Sequence, residues 1–188
     1  MLDYSRGNLQ AFKQLYARHE QSVYRFAYNG CGTDVQAQEV FQEIWLRVIK
    51  SRNSFKSTQP FKAWLFSIAR NLLIDYYRRQ SRNALDNRTG DGADLDSVSH
   101  DSLSDSQYAW ARVPLTPEQV ASATQQSATL RDALQCLPDA QREAIMLKHI
   151  AGFEISEIAQ MQGQGVQAVK SRLRYAMVKL RQHLKEVS

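Results

Sequence analysis

Cysteine, proline and glycine are scarce in this sequence: two, four and eight residues among 188. Two cysteines, Cys31 and Cys136, cannot build a disulfide framework, which points to the reducing cytosol. So few glycines and prolines leave too little turn chemistry for an all-β sandwich. No apolar run approaches the ~18 residues of a membrane span. The first thirty residues carry charge throughout and lack the apolar stretch of a secretory signal. The histidines, at 19, 100, 149 and 183, form no H-E-x-x-H or other metal spacing, the cysteines form no C-x-x-C, and no glycine-rich phosphate loop occurs. The expectation is therefore a chain with no catalytic residue, no metal, no cofactor and no small-molecule substrate.

What is present is basic charge, unevenly spread. The chain carries 24 Lys and Arg against 19 Asp and Glu. Residues 1–80 hold 12 basic and 6 acidic side chains, residues 81–126 hold 3 and 7, and residues 127–188 hold 9 and 6. Two basic blocks thus flank an acidic stretch rich in Ser, Asp, Asn and Gly, with no apolar period. That stretch reads as a flexible linker over 83–126, disordered up to about Gln107. Tyr108 and Trp110 are unusual in a linker; they contact one of the domains or dock on a partner.

Both basic blocks have helical periodicity. In the first, apolar residues recur at helical spacing from Asn8 to Tyr28, and Asn29-Gly30 ends the run. A second helix starts at Thr33, with Gln36 placed to complete a capping box, and runs to about Ser51. Ala37, Val40, Phe41, Ile44 and Val48 share one face of it, while Glu39, Gln42, Glu43 and Leu46 share the opposite one. After a break from Arg52 to Pro60, a third helix reaches Arg79 with the stripe Phe61, Trp64, Leu65, Ile68, Leu72 and Tyr76. In the second block, a helix marked by Leu130, Ala133, Leu134 and Leu137 stops at Pro138. Asp139 is placed to cap the next, which ends at Gly152. A short helix, the turn Gln162 to Gly165 and a long helix from Val166 follow. Val166, Val169, Leu173, Ala176, Leu180 and Leu184 stripe that last helix, and Gln167, Lys170, Ser171, Arg172, Arg174 and Arg181 lie off it. A short helix, a glycine turn and a basic second helix make a helix-turn-helix, whose second helix reads the major groove. Lys170 and Arg172 are suited to phosphates or guanine acceptors. The fold class is all-α: two small helical domains joined by a flexible linker, the C-terminal one a helix-turn-helix.

Here a resemblance becomes specific. The run from Gly152 to Leu173 resembles the promoter-binding helix-turn-helix of extracytoplasmic-function (ECF) sigma factors, in the sigma-70 family, without a gap. Leu137 to Ile145 resembles the segment that precedes it in that family. Gly7 to Tyr16, Glu39 to Trp45 and Phe61 to Asn71 resemble the family's N-terminal domain, in the same order. Three departures stand out. Glu154 replaces a common capping Ser, which weakens that helix start. Gly165 replaces a common Pro and adds flexibility. Tyr175 replaces a common basic residue.

The resemblance implies a transcription initiation factor that binds core RNA polymerase, recognises a promoter and helps to melt it. Residues 1–82 would bind polymerase and read the minus-ten element, and residues 127–188 would read the minus-thirty-five element. Partners implied are the polymerase β′ clamp coiled coil and β flap, promoter DNA, and an anti-sigma factor anchored in the membrane, which would hold a cytoplasmic protein at the inner membrane. Glu39, Gln42, Glu43 and Leu46 match the polymerase-binding face. Asn53, Ser54, Phe55, Lys56, Trp64 and Asn71 match the loop and helix that capture a flipped minus-ten base. Phe55 and Trp64 also suit a plain core role, Trp64 more so. Arg78, Arg79 and Arg82 would meet phosphates. Gln167, Lys170, Ser171, Arg172, Arg174 and Tyr175 would meet the minus-thirty-five element. The alternative is a stand-alone helix-turn-helix regulator that never binds polymerase. The N-terminal block discriminates, because a lone regulator needs a dimerisation or ligand domain there.

The acidic composition of 83–126 generates one prediction. Limited proteolysis of the free protein should cut first between about Ser81 and Ser106, leaving two helical fragments. Protection of that stretch would identify a structured domain instead.

Overall fold

A computed structural model describes residues 1–89 and 128–187. These residues form helices and turns, with no strand among them. A single helical turn, α1 (Leu2–Ser5), precedes α2 (Leu9–Gly30), α3 (Asp34–Lys50) and α4 (Phe61–Thr89). The second half contains α5 (residues 128–135), α6 (Asp139–Ile145), α7 (Ile155–Gln162) and α8 (Val166–Val187). Residues Met146–Ile150 extend α6 as a π-helical turn. The wider turn accompanies two sequence neighbours, Met146 and Leu147, that are both fully buried.

The helix ends follow from local chemistry. Asn8 caps α2 by accepting from the backbone N–H of Gln10 and Ala11. Thr33 caps α3 by accepting from Gln36 N–H at 3.3 Å. The Gln36 side chain does not reach back as its spacing suggests. It accepts instead from Tyr76 Oη at 2.6 Å, and Gly32 N–H donates to the same hydroxyl at 3.4 Å. A side chain from α4 thereby pins the α2–α3 turn. Asp139 is not a cap either: Pro138 occupies that position, and the Asp139 carboxylate turns to Arg142. The expected weak start at Glu154 is also overturned. Glu157 accepts the Glu154 backbone N–H at 2.7 Å in a capping box, and Lys148 pairs with the Glu154 carboxylate at 3.0 Å. Gly163 ends α7 at φ 61°, a left-handed conformation that glycine adopts without strain. Gly165 has no positive φ and open space around it, so the site also admits a larger residue.

Helix α4 continues ten residues beyond the expected end at Arg79, to Thr89. Residues 83–89 of the expected linker are therefore helical. The remainder of 83–126, including Tyr108 and Trp110, lies outside the described residues.

The two halves share one core. A single cluster of buried residues runs from Val23, Phe26, Ile44, Leu65 and Phe66 to Met146, Leu147, Phe153, Ile158 and Val169. Phe66 sits at its centre, edge-on to Phe26 at 5.3 Å and to Phe153 at 5.4 Å. A smaller cluster, Ala133, Leu134, Leu137, Ile145, Ala176 and Leu180, ties α5 and α6 to α8. Close approach at the seam depends on Gly30. A Cβ there would lie 2.6 Å from Leu73 Cδ1 and 3.1 Å from Met146 Cε. Burial at this seam pushes the Cys31 thiol up to about 12, so the thiol stays protonated.

Because Phe66 is fully buried between both halves, Phe66→Ala should cost about 3–5 kcal/mol, a large share of a small protein's stability. Urea unfolding followed by helix signal checks it. A loss under about 1 kcal/mol would show that the shared core contributes little.

Candidate promoter and polymerase surfaces

Three surfaces carry the residues singled out in the sequence. The first lies on α3. Val40, Phe41, Ile44, Trp45 and Val48 are buried, and the reverse face holds Glu39, Gln42, Glu43 and Leu46. Leu46 is 46% exposed, an apolar residue left in water beside the carboxylates. Glu43 is half-buried and pairs with Arg47 at 3.0 Å along the helix. Glu39 and Glu43 also line a groove of about 470 Å³ between α3 and α4, walled on the far side by Tyr76, Arg79 and Gln80. The structure thus brings all four predicted residues onto one face.

The second surface joins the loop after α3 to the start of α4. Arg52–Ser54 form a 3-10 turn, which leaves Asn53, Ser54 and Lys56 exposed. Phe55 folds back edge-on to Trp64 at 5.3 Å and to Phe61 at 6.1 Å. Trp64 is 8% exposed, as its core role requires. Phe55 is only half-buried, so it forms the outer wall of this aromatic cluster. Asn71 lies on the same side of α4, about 10 Å further along by seven residues of helical rise. It accepts from Arg70 at 3.4 Å. The loop and the aromatics therefore come together, while Asn71 stands apart from them. Arg78, Arg79 and Arg82 are exposed further along the helix.

The third surface is the helix-turn-helix. Ile158 and Ala159 of α7 and Val169 and Ala176 of α8 are buried. Gln167, Lys170, Ser171, Arg174 and Tyr175 are exposed. The Arg174 guanidinium lies 5.2 Å from the Tyr175 ring, so this position combines charge with an aromatic face. Arg172 is placed differently. It falls three residues after Val169, at the flank of the buried stripe, and is half-buried. Its terminal nitrogens donate to Gln162 Oε1, at the end of α7, at 2.9 Å and to Gln164 Oε1, in the turn before α8, at 3.4 Å.

The seam between the halves is the part that sequence reasoning missed. Arg131 lies 3.8 Å over the Tyr28 ring and pairs with Asp34 at 2.6 Å. Arg142 lies 4.1 Å over Tyr77 and bonds Asp139 and Gln135. Gln135 Nε2 in turn lies 3.3 Å from the carbonyls of Asn29, Gly30 and Cys31, where the end of α2 leaves acceptors without helical partners. Lys62 sits 4.6 Å from the Phe153 ring, and Arg70 pairs with Glu143 at 2.6 Å. Every one of these contacts crosses more than sixty residues of sequence or serves one that does. The Arg142-Glu143 pair inside the Leu137–Ile145 segment was the available signal, but helical spacing does not reveal a partner so distant.

Comparison with known proteins follows the same division. The model of Sigma-70 region 2 matches residues 15–83, and that of Sigma-70, region 4 matches residues 127–180. The chain is 30% identical over 177 residues to the ECF RNA polymerase sigma factor SigL of Mycobacterium tuberculosis, covering 93% of this chain and 89% of that protein. It is 29% identical over 174 residues to the ECF RNA polymerase sigma factor BldN of Streptomyces coelicolor, covering 92% of this chain and 60% of that one. The chain thus spans less than two thirds of BldN's length. Among solved structures, CnrH in complex with the cytosolic domain of CnrY matches with a TM-score of 0.70 and 25% identity, covering 100% of this chain and 96% of that one. The sigma factor RpoE in complex with the anti-sigma factor NepR from Bartonella quintana matches with a TM-score of 0.67 and 25% identity, covering 94% and 98%.

Proposed function

The chain belongs to the extracytoplasmic-function RNA polymerase sigma factors, and we propose on that premise that it binds core polymerase, directs it to specific promoters and promotes the start of transcription. The observation that carries this reading is the pairing of two surfaces in one chain: the acidic α3 face with its exposed Leu46, and the basic α8 of a helix-turn-helix. A stand-alone regulator has no use for the first.

The α3 face docks on the β′ clamp coiled coil. Glu39 and Glu43 supply charge toward a basic partner, and Leu46 supplies apolar area at the centre of the contact. The loop Asn53–Lys56 takes a base flipped from the minus-ten element. Asn53 and Ser54 offer polar edges to the base, and Phe55 offers a ring for stacking, a contact of ~1–3 kcal/mol. Trp64 holds Phe55 in place from below. Asn71 contacts the strand further along α4, and Arg78 and Arg79 follow the phosphates. Helix α8 enters the major groove at the minus-thirty-five element. Gln167, Lys170, Ser171, Arg174 and Tyr175 lie exposed toward it, and Arg172 reaches it by leaving Gln162. The β flap is the remaining polymerase contact of the C-terminal half. Of two structural neighbours, CnrH is bound to the cytosolic domain of CnrY and RpoE to the anti-sigma factor NepR. By analogy, an anti-sigma factor silences this chain, and a membrane-anchored one would hold a cytoplasmic protein at the inner membrane. Among the described residues no helix is long and apolar enough to cross a membrane itself.

Glu43→Lys should abolish core polymerase binding with the fold intact, because it disturbs one exposed i,i+4 pair of about 0.5 kcal/mol. A titration against core polymerase measures this; unchanged affinity would refute the assigned face.

For the DNA surface, Lys170→Ala should weaken binding to all sequences and lower the salt slope by about one. Arg172→Ala should instead relax preference at one or two positions of the upstream box, by about 1–3 kcal/mol of discrimination. Binding to wild-type and scrambled boxes across a salt series separates the two. Equal loss on both boxes for Arg172→Ala would make its role purely electrostatic.

A further inference from the structure

The single turn α1 has no part in the three surfaces, and the Sigma-70 region 2 match begins beyond it, at residue 15. Yet α1 packs against two elements, α2 and the 3-10 turn Arg52–Ser54. The chain turns back at Gly7, where the Gly7 N–H donates to Tyr4 O at 2.9 Å and the Asn8 N–H to Asp3 O at 3.0 Å. That turn lays Tyr4 on α2. Its ring lies 4.8 Å from the Phe12 ring, which stands edge-on to Trp45 of α3 at 5.9 Å. Tyr4 is only 4% exposed, although its helix is a single turn. The Arg52 guanidinium lies 5.7 Å from the centre of the Tyr4 ring, within the ~6 Å reach of a cation–ring contact.

Arg52 opens the loop proposed above to take a flipped base. Ser54 donates twice to the Ser51 carbonyl, by its N–H at 2.9 Å and by its hydroxyl at 2.7 Å. These bonds shape the turn but do not seat it on another helix. Two side chains do that: Phe55, edge-on to Trp64 of α4, and Arg52, on Tyr4 of α1. Asn53 and Ser54, exposed, lie between the two. A loop fixed before the base arrives loses less conformational freedom on capture, so its polar atoms bind more tightly. Phe55 alone would fix one end and leave the turn free to swing about it.

We propose that Tyr4 is a positioning residue for base capture: its ring, backed by Phe12, seats Arg52 and so sets where Asn53 and Ser54 stand. Tyr4 itself is buried and touches no DNA. The inference rests on the reading of Asn53–Lys56 as the minus-ten loop, and it extends that site to a helix outside the matched region.

The test uses the full-length chain, free and assembled with core polymerase. The DNA probe is a fluorescein-labelled single strand bearing the minus-ten element of a promoter, selected from a randomised library by transcription with the wild-type chain. Tyr4→Leu keeps an apolar group in place and removes the ring; it should weaken binding of this strand about fivefold, the scale of one cation–ring contact. In the free chain, amide exchange at Ser54 should quicken by a similar factor, because the same contact holds the turn. Affinity for core polymerase and for duplex bearing the upstream element should not change. Tyr4→Phe retains the ring and should match the wild type in every assay. Arg52→Met should reproduce Tyr4→Leu, and the two together should lose no more than either alone. Unchanged strand binding in Tyr4→Leu, or losses that add in the double variant, would overturn the proposal. So would a loss in Arg52→Met alone, which would make Arg52 a direct DNA contact. Should Tyr4→Leu lose its helix signal, the exposed Arg52 serves instead. Arg52→Met must then quicken exchange at Ser54, and unaltered exchange would again overturn the proposal. Failure of the sigma-factor reading shows separately: the library then yields no promoter with the wild-type chain, whereas exchange at Ser54 still reports the Tyr4 contact.

Discussion

A guanidinium buried to 6% exposure is the constraint around which the rest is arranged. Arg142 is the one charged side chain buried among the described residues. A charge taken out of water costs several kcal/mol unless it is paired. Arg142 meets that demand from both halves at once: the Tyr77 ring of α4, and Asp139 and Gln135 of its own half. Holding Gln135 by its oxygen leaves the amide nitrogen facing the carbonyls at the end of α2. The same α6 turn that seats Arg142 places Glu143 against Arg70 and Met146 against Gly30. Removing the guanidinium would therefore loosen the end of α2 as well as the seam, although neither is next to it in sequence.

This arrangement explains why α4 matters twice. Its first turns support the aromatic wall of Phe55, Phe61 and Trp64, the side proposed above to meet the minus-ten element. Its other face, with Phe66, Arg70, Leu73 and Tyr77, is the seam with the second half. A single helix thus carries the stripe proposed to face DNA and the domain-facing stripe, roughly on opposite sides. Its modest amphipathicity in sequence, where apolar and basic residues alternate around the barrel of the helix, reflects those two duties rather than a solvated face.

Legibility in the sequence tracks how local each determinant is. Periodicity placed α2, α3, α7 and α8, because buried positions three and four apart recur without help from elsewhere. The α3 face was readable for the same reason: Ala37 to Val48 fix which side is core, so Glu39, Gln42, Glu43 and Leu46 fall opposite. Caps were less readable. The Gln36 spacing suggests a capping box, yet Tyr76, forty residues on, outcompetes the backbone for it. Glu154 is a poor cap by residue type alone; the partner Glu157 three residues later decides it. Arg172 lies off the apolar stripe by its charge, yet its three-residue offset from Val169 puts it at the flank, half-buried. The end of α4 was misplaced because acidic, glycine-bearing composition after Arg79 suggests a linker, while a helix already held by long-range packing propagates further than its own propensity would carry it. The shared core was invisible, since no spacing within either half announces a partner on the other.

The electrostatics of closure follow from the charge division. Both halves are net basic, residues 1–80 with 12 Lys and Arg to 6 Asp and Glu and residues 127–188 with 9 to 6, so bringing them together is opposed by their mean charge. The seam offsets this with specific partners. Arg70 and Arg131 each find a carboxylate, Glu143 and Asp34. Arg142 and Lys62 find aromatic faces, Tyr77 and Phe153, which accept cations without adding negative charge. A seam built in this way adds little net charge of either sign, because two of its four cations face rings and not carboxylates. The contact between the halves therefore rests on individually placed partners and not on the mean charge of either half, so each cation at the seam, Arg70, Arg131, Arg142 and Lys62, counts through the one group it faces.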